Sequence, residues 1–258
     1  MSKRSDRKNE KAAFEAAAAD DGAVDDGESG DELVVAGAAD SAAEGSQVEE
    51  AAAGSGALDD VVADAKSAPE NRATDGPFDS DEANPARPYV DLGGIKILPR
   101  EGLQLRLEVE EGTQRVVAVG LDFAGSTLQV QAFAAPRSTG LWHDIRGQIR
   151  EQIGSQGGSL VERDGVFGPE LVAEVPATGP DGKPVTRLAR FIGVDGPRWF
   201  LRGVIAGDAM TSDDSQAAVE ELFRSVVVVR GQSPMPPRDL IPLTIPKTTA
   251  GPATTTAI

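Results

Sequence analysis

His143 is the only histidine in the chain, and there is no cysteine. Ser-His-Asp hydrolysis would therefore rest on this one imidazole. Thiolate nucleophiles, disulfides, Fe–S clusters and Cys-ligated or multi-histidine metal sites are excluded. His143 lies between Trp142 and Asp144, so on a helix the three side chains point in different directions. No G-x-S-x-G elbow supplies a nucleophile. The expected place for His143 is a helix flank.

Acidic groups are the next candidates. Glu108, Glu110 and Glu111, the pair Asp213-Asp214 and the pair Glu220-Glu221 have the oxygen ligands a hard cation needs. None falls in the D-x-[DN]-x-[DN]-G spacing of a calcium loop or in that of a two-metal site. Asp213 and Asp214 suit the positive end of a helix that Ser212 can cap. Glycine is abundant, yet no G-x-G-x-x-G or G-x-x-x-x-G-K-[ST] cradle for phosphate occurs. No catalytic residue, metal or cofactor is assigned from these groups.

Arginine is the remaining oddity. Residues 89–258 hold 14 Arg against 3 Lys. Arg187, Arg190, Arg198 and Arg202 fall on two runs joined by Asp195-Gly196, a hairpin signal. Strand alternation puts Arg198, Phe200 and Arg202 on one face, with Trp199, Leu201 and Ile205 on the other. An Arg-aromatic-Arg face is what protein interfaces enrich. It would also suit bidentate capture of a carboxylate or phosphate. Arg187, Arg190, Arg198, Phe200 and Arg202 are thus the candidate partner interface, with pairing to the protein's own carboxylates as the competing role.

Elements able to position these residues begin only after a compositional break near residue 76. Residues 1–88 carry 8 Lys+Arg against 22 Asp+Glu, while residues 89–258 carry 17 against 20. Residues 1–75 include 20 alanines and a single aromatic, Phe14. Such a segment buries too little apolar surface to offset chain entropy, so a disordered acidic arm is expected. Residues 76–88 hold Pro77, Pro85 and Pro88, with Phe78 as an anchor, and read as an extended docking segment. Residues 89–231 read as the folded domain. Leu103, Leu105, Leu107 and Val109 alternate with polar residues as a half-buried strand does. Further strands are expected over 89–92 and 95–98, which flank Gly93-Gly94, and over 115–121, 127–134, 160–163, 170–175, 185–194, 198–205 and 226–229. Trp142, Ile145, Ile149 and Ile153 mark one helix stripe, and Val219, Leu222 and Phe223 mark another. Pro234, Pro236, Pro237 and Pro242, mixed with Leu240, Ile241 and Leu243, predict an extended strap over 232–246, followed by a disordered tail at 247–258. The order strands, helix, four strands, helix, strand predicts an α+β domain, with a mainly antiparallel sheet flanked by two helices.

The segments GPFDSDEANPARPYVDLGGIKILPREGLQLRLE, APRSTGLWHDIRGQIREQI and RFIGVDGPRWFLRGVIAG, with VVVVRG at 226–231, resemble an actinobacterial family of unknown function over about residues 76–246. That family brings no catalytic residues to carry over. The element order is also similar, at pattern level, to the α/β/α sandwich of the Mog1/PsbP-like fold, whose members have protein-binding and accessory roles.

No run of about 18 apolar residues occurs, so no membrane span is expected. The N-terminus lacks the apolar stretch of a secretory signal, and a cytoplasmic location is expected. The resulting expectation is a non-enzymatic protein-binding module. One alternative is a small-molecule or anion-binding domain, including an unrecognised enzyme. Another is a nucleic-acid accessory autoinhibited by its acidic arm, which net charge disfavours.

Overall fold

The computed structural model describes residues 65–110, 115–178 and 183–245. Chain order runs α1 (Arg72–Asp75), β1 (Phe78–Asp79), β2 (Val90–Asp91), β3 (Ile95–Ile97), β4 (Gln104–Val109), β5 (Val116–Phe123), β6 (Ser126–Ala134), α2 (Trp142–Ser155), β7 (Ser159–Gly165), β8 (Gly168–Thr178), β9 (Pro184–Asp195), β10 (Trp199–Gly207), α3 (Asp213–Arg224) and β11 (Val227–Val228). Seven strands form one antiparallel sheet in the order β4-β5-β6-β10-β9-β8-β7. A smaller sheet, β1-β11-β3-β2, stands apart from it. The fold is α+β and mainly antiparallel, as the alternation in the sequence predicts.

Alternation divides each central strand between two cores. One face carries Val119, Leu121, Leu128, Val130, Leu201 and Ile205, which pack with Leu222 and Phe223 of α3 and with Ile95 and Val228 of the small sheet. The opposite face carries Leu171, Ala173, Phe191, Phe200 and Val204, closed by Trp142, Ile149 and Ile153 of α2. Helix α2 touches β7, β8 and β9. It reaches the sheet closely because position 193 lacks a side chain: a Cβ there would lie 2.4 Å from the Trp142 ring and 2.8 Å from Phe200. The helix α3 starts as expected, with the Ser212 hydroxyl accepting from the Ser215 amide and Asp213 and Asp214 in the first turn.

The small sheet was legible only in part: the runs at 89–92, 95–98 and 226–229 supply β2, β3 and β11, but nothing in the pattern marks β1. Despite its prolines, the docking segment contributes β1, which pairs in parallel with β11 through Phe78 and Val227. The all-valine β11 is buried, as its lack of a polar face predicts. Contacts also start before residue 76. The Ser67 carbonyl accepts from the Asp195 amide at 2.8 Å, and the Arg72 guanidinium lies over the Trp199 ring. The break in composition therefore falls within chain that is docked on the domain.

The strap is extended and has a structural task. The β5–β6 ladder ends at Val119 opposite Val130, and beyond that point the strap enters between the two strands. Leu240 bridges Phe133, and Leu243 bridges Val116. The Ala134 amide donates to the Asp239 carbonyl and the Ile241 amide to the Ala132 carbonyl across the same gap. Ile241 is buried there.

Candidate functional site

Helix α2 covers only part of its sheet face. Among the described residues, the same face over β4, β5 and β6 has no helix upon it, and its side chains are polar. Strand registers place Arg106 opposite Gly120, Glu108 opposite Ala118, and Gly120 opposite Gln129. Gln131 lies opposite Arg202 of β10. The small residues at 118 and 120 leave room for long side chains to lie flat across the sheet: a Cβ at Gly120 would meet Glu108 Oε1 and Arg106 Nη2 at 3.2 and 3.3 Å.

These side chains are locked together. Arg106 donates from Nε and Nη2 to the two oxygens of Asp122 at 2.9 and 3.0 Å, and Thr127 Oγ1 donates to Asp122 Oδ1 at 2.8 Å. Gln129 Nε2 donates to Glu108 Oε2. Gln131 Nε2 donates to the Val117 carbonyl, which lies beyond the end of the β5–β6 ladder, and Gln131 Oε1 accepts from Arg202. The Arg202 guanidinium sits 5.7 Å from the Phe133 ring centre. The layer is stratified. Gln129 and Gln131 are 1% and 3% exposed, and Glu108 is 8% exposed, while the Arg106 and Asp122 side chains above them are 40% and 32% exposed. Gln129 Oε1 is buried with no hydrogen-bond partner among the described residues, an arrangement that costs about 1–3 kcal/mol.

Chemically the layer offers hydrogen-bond donors and acceptors fixed by their neighbours. The one hydroxyl in it, Thr127, donates to a carboxylate whose two oxygens are already held by Arg106, so no base stands ready to receive a proton from an attacking nucleophile. Among the described residues no group of three Asp, Glu or His side chains converges as a metal site. None of their helices is long and apolar enough to cross a membrane.

The arginine hairpin does not form the single face that alternation suggests. Phe200 is fully buried beneath α2, stacked on Trp142 and Phe133. Alternation assigns Phe200 its side correctly, but that side is roofed. Arg190 points to the other face. It is buried there between Glu170 and Glu220, with Nη2 and Nη1 at 2.6 and 2.7 Å from their carboxylates. Burial works against its charge, but the two glutamates outweigh that and hold its pKa above the usual arginine value. Arg198 precedes β10 and donates to the Gly231 carbonyl. Arg187 is half-buried on β9. Of the five, Arg202 alone belongs to the polar face.

The acidic clusters are divided too. Glu108 joins that face, Glu220 pairs with Arg190, Glu221 lies 3.2 Å from Arg100, and Glu111 falls outside the described residues. His143 is exposed on α2, with Nδ1 3.4 Å from Arg146.

A separate charged group lies where residues 65–75 meet the sheet. Asp195 is buried. Its carboxylate accepts from the amides of Leu141 and Trp142 at the start of α2 and from the Ser67 amide. Burial raises its pKa above the usual aspartate value, against those three bonds and the charge of Lys66. Lys66 donates to the carbonyls of Pro136, Gly196 and Pro197 within 3.0 Å. Desolvation, only partly offset by Asp195, lowers its pKa. Gly140 makes the crossing possible, since a Cβ there would sit 2.6 Å from the Ala65 carbonyl oxygen. Every partner here is a backbone group or the opposite charge, so the cluster fastens the incoming chain.

Sequence reasoning missed the polar face because Glu108 and Arg106 look like the solvated side of an ordinary half-buried strand. The available signal was Gln129 and Gln131 alternating with Leu128, Val130 and Ala132 on a strand in the middle of a sheet.

Comparison with known proteins assigns the chain to a family but gives it no function. No curated protein matches the sequence. The solution structure of cyanobacterial PsbP (CyanoP) from Synechocystis sp. PCC 6803 is similar at 15% identity and a TM-score of 0.34, over 53% of this chain and 87% of that one. By sequence, the chain belongs to the family described as Protein of unknown function (DUF3710), which it matches over residues 76–251.

Proposed function

We propose that the chain is a cytoplasmic, non-enzymatic binding module that engages a protein partner through the polar half of the α2-side sheet face. The observation that carries this reading is the interlocked layer of Arg106, Asp122, Thr127, Gln129, Gln131 and Arg202, with a buried acceptor left unpartnered beneath half-exposed charges. Side chains held by their neighbours lose little further freedom on binding, which lowers the cost of association. The width also suits a macromolecule: β4, β5, β6 and β10 span about 14 Å at 4.8 Å per strand spacing. Arginine stacked on an aromatic edge is a feature that interfaces enrich. The absence of cysteine fits a reducing compartment.

The test uses the full chain as bait in lysate of its source cells, followed by titration of each purified candidate against wild type, Arg106→Ala and Arg106→Glu. Arg106 is exposed enough that both variants should fold. The reading expects a partner whose affinity falls about tenfold or more in Arg106→Glu, the scale of losing a charged contact at an interface. A partner bound equally well by all three would overturn the assignment of this face. Turnover of a small substrate lost on the same substitutions would overturn the non-enzymatic reading.

A further inference from the structure

The central sheet ends at β7, and among the described residues no strand pairs with its outer edge. Such an edge presents a row of free amide and carbonyl groups, and proteins normally guard it with charges. β7 reads SLVERDG, and two of its three charges, Glu162 and Arg163, are drawn away from the edge. Glu162 faces α2, where both Arg146 and Arg150 hold it. Arg163 faces the opposite side, where Glu170 Oε1 holds its Nε at 2.7 Å. Next to them, on the same face as Arg163, stands Val161, 66% exposed, more than any other large apolar residue in the described strands. The edge is thus seven residues long, has no strand paired to it among the described residues, and exposes valine beside two charges that are engaged elsewhere.

We infer that β7 pairs with β7 of a second copy of this chain, antiparallel, about a two-fold axis through Val161. A two-fold axis normal to the sheet keeps each side chain on its own face, so the centre must fall on a residue and not between two. Centring on Glu162 or Arg163 sets two like charges directly opposite, which is destabilising. Centring on Val161 stacks valine on valine and sets Arg163 of each copy against Ser159 of the other. Ser159 already donates to Glu174 at 3.2 Å, so each Arg163 meets a carboxylate across the seam. Leu160, half-buried on the α2 side, comes opposite the aliphatic stem of Glu162. Of the centres on Val161, Glu162 and Arg163, the charge pattern favours Val161.

An edge-to-edge contact is small, so the dimer is expected at the weak end of specific interfaces and should depend on concentration. The full chain would be followed by sedimentation velocity from about 10 μM to 1 mM, a range set by mass action for a weak dimer. The same runs would include Val161→Lys, whose exposed site leaves the fold intact by circular dichroism. Because the chain has no cysteine, Val161→Cys gives a second readout. Directly opposed residues in an antiparallel pair lie within disulfide reach. The expected result is a wild-type dimer abolished by Val161→Lys, with Val161→Cys oxidising to a covalent dimer about tenfold faster than Val166→Cys through its raised effective concentration. Val166 is also exposed but lies beyond β7. A chain monomeric throughout, a dimer indifferent to Val161→Lys, or equal cross-linking at the two positions would each overturn the inference.

Discussion

Replacing Arg190 with methionine tests the energetics of the core directly, because it removes one cation from between two carboxylates. Arg190, Glu170 and Glu220 are buried together, at 2.6 and 2.7 Å, and Gln216 adds a hydrogen bond to Glu220 at 2.9 Å. Taking one partner from a buried pair typically costs about 3–5 kcal/mol, because the remaining charge is stranded out of water. Arg163 remains on Glu170 from the half-exposed side, which favours the lower half of that range. For a domain of this size, 1 kcal/mol moves Tm by about 2–4 °C, so a fall of about 6–15 °C is expected. Thermal denaturation at pH 7, monitored by Trp142 and Trp199 fluorescence, measures this. A loss below about 1 kcal/mol at pH 7, well under the range for breaking a buried pair, would refute the reasoning. Substituting all three charged residues by Met, Leu and Leu should recover most of the loss, since well-packed apolar replacements of buried ion groups are often neutral.

Three further outcomes are expected. Gly193→Ala drives a methyl group into Trp142 and Phe200 and should cost about 1–3 kcal/mol through overpacking, with a changed near-ultraviolet tryptophan signal; an unaltered melting curve would contradict the close approach of α2. Asp195→Asn should destabilise by about 1–2 kcal/mol at pH 7, since a side-chain amide cannot accept from Leu141, Trp142 and Ser67 as two carboxylate oxygens do. The raised pKa of Asp195 means that its own contribution to stability falls as pH rises through the window above 3.8, a slope that the asparagine variant should lack in urea titrations at several pH values. Arg106→Ala should change stability by less than about 1 kcal/mol, the usual worth of a half-exposed ion pair, so that any binding defect it shows is not a folding defect.

Much of the architecture could be read from the chain because each central strand carries a two-residue period and each long helix a single stripe. Leu105 and Leu107, Trp142 and Ile149, and Leu222 and Phe223 announce their inward faces without knowledge of their partners. Period alone does not say what lies above a face. Phe200 and Arg202 share a side by alternation, but α2 roofs the first and stops short of the second. Arg190 counts as a surface arginine until Glu170, twenty positions earlier, and Glu220, thirty later, are brought beside it. The strands β1, β2 and β11 of the small sheet are each only one period long, and pairing between β1 and β11 joins residues nearly 150 positions apart. Such contacts leave no local signature. The docking of Lys66 is hidden for a related reason: one ammonium satisfied by three backbone carbonyls shows nothing in composition, and it sits within a segment whose neighbours are acidic and alanine-rich.

The polar face and the β7 edge occupy opposite ends of the sheet, and that separation constrains how they work together. From β4 to β7 there are six strand spacings, about 29 Å, so pairing at β7 leaves the polar half of each copy uncovered. In a joined sheet the two β5 strands would stand eleven spacings apart, roughly 50 Å. Strand twist of about 20° per step would by then have turned one polar face through more than half a revolution relative to the other. Two faces aimed so differently cannot grip one compact partner together. Dimerisation should therefore double the number of partner sites without raising the affinity of either, and the complex should form with two partners per dimer. Titration of wild type and Val161→Lys with the same partner measures this directly. Equal affinities per chain are expected, whereas markedly tighter binding by the dimer would mean that the faces converge and that the twist argument is wrong.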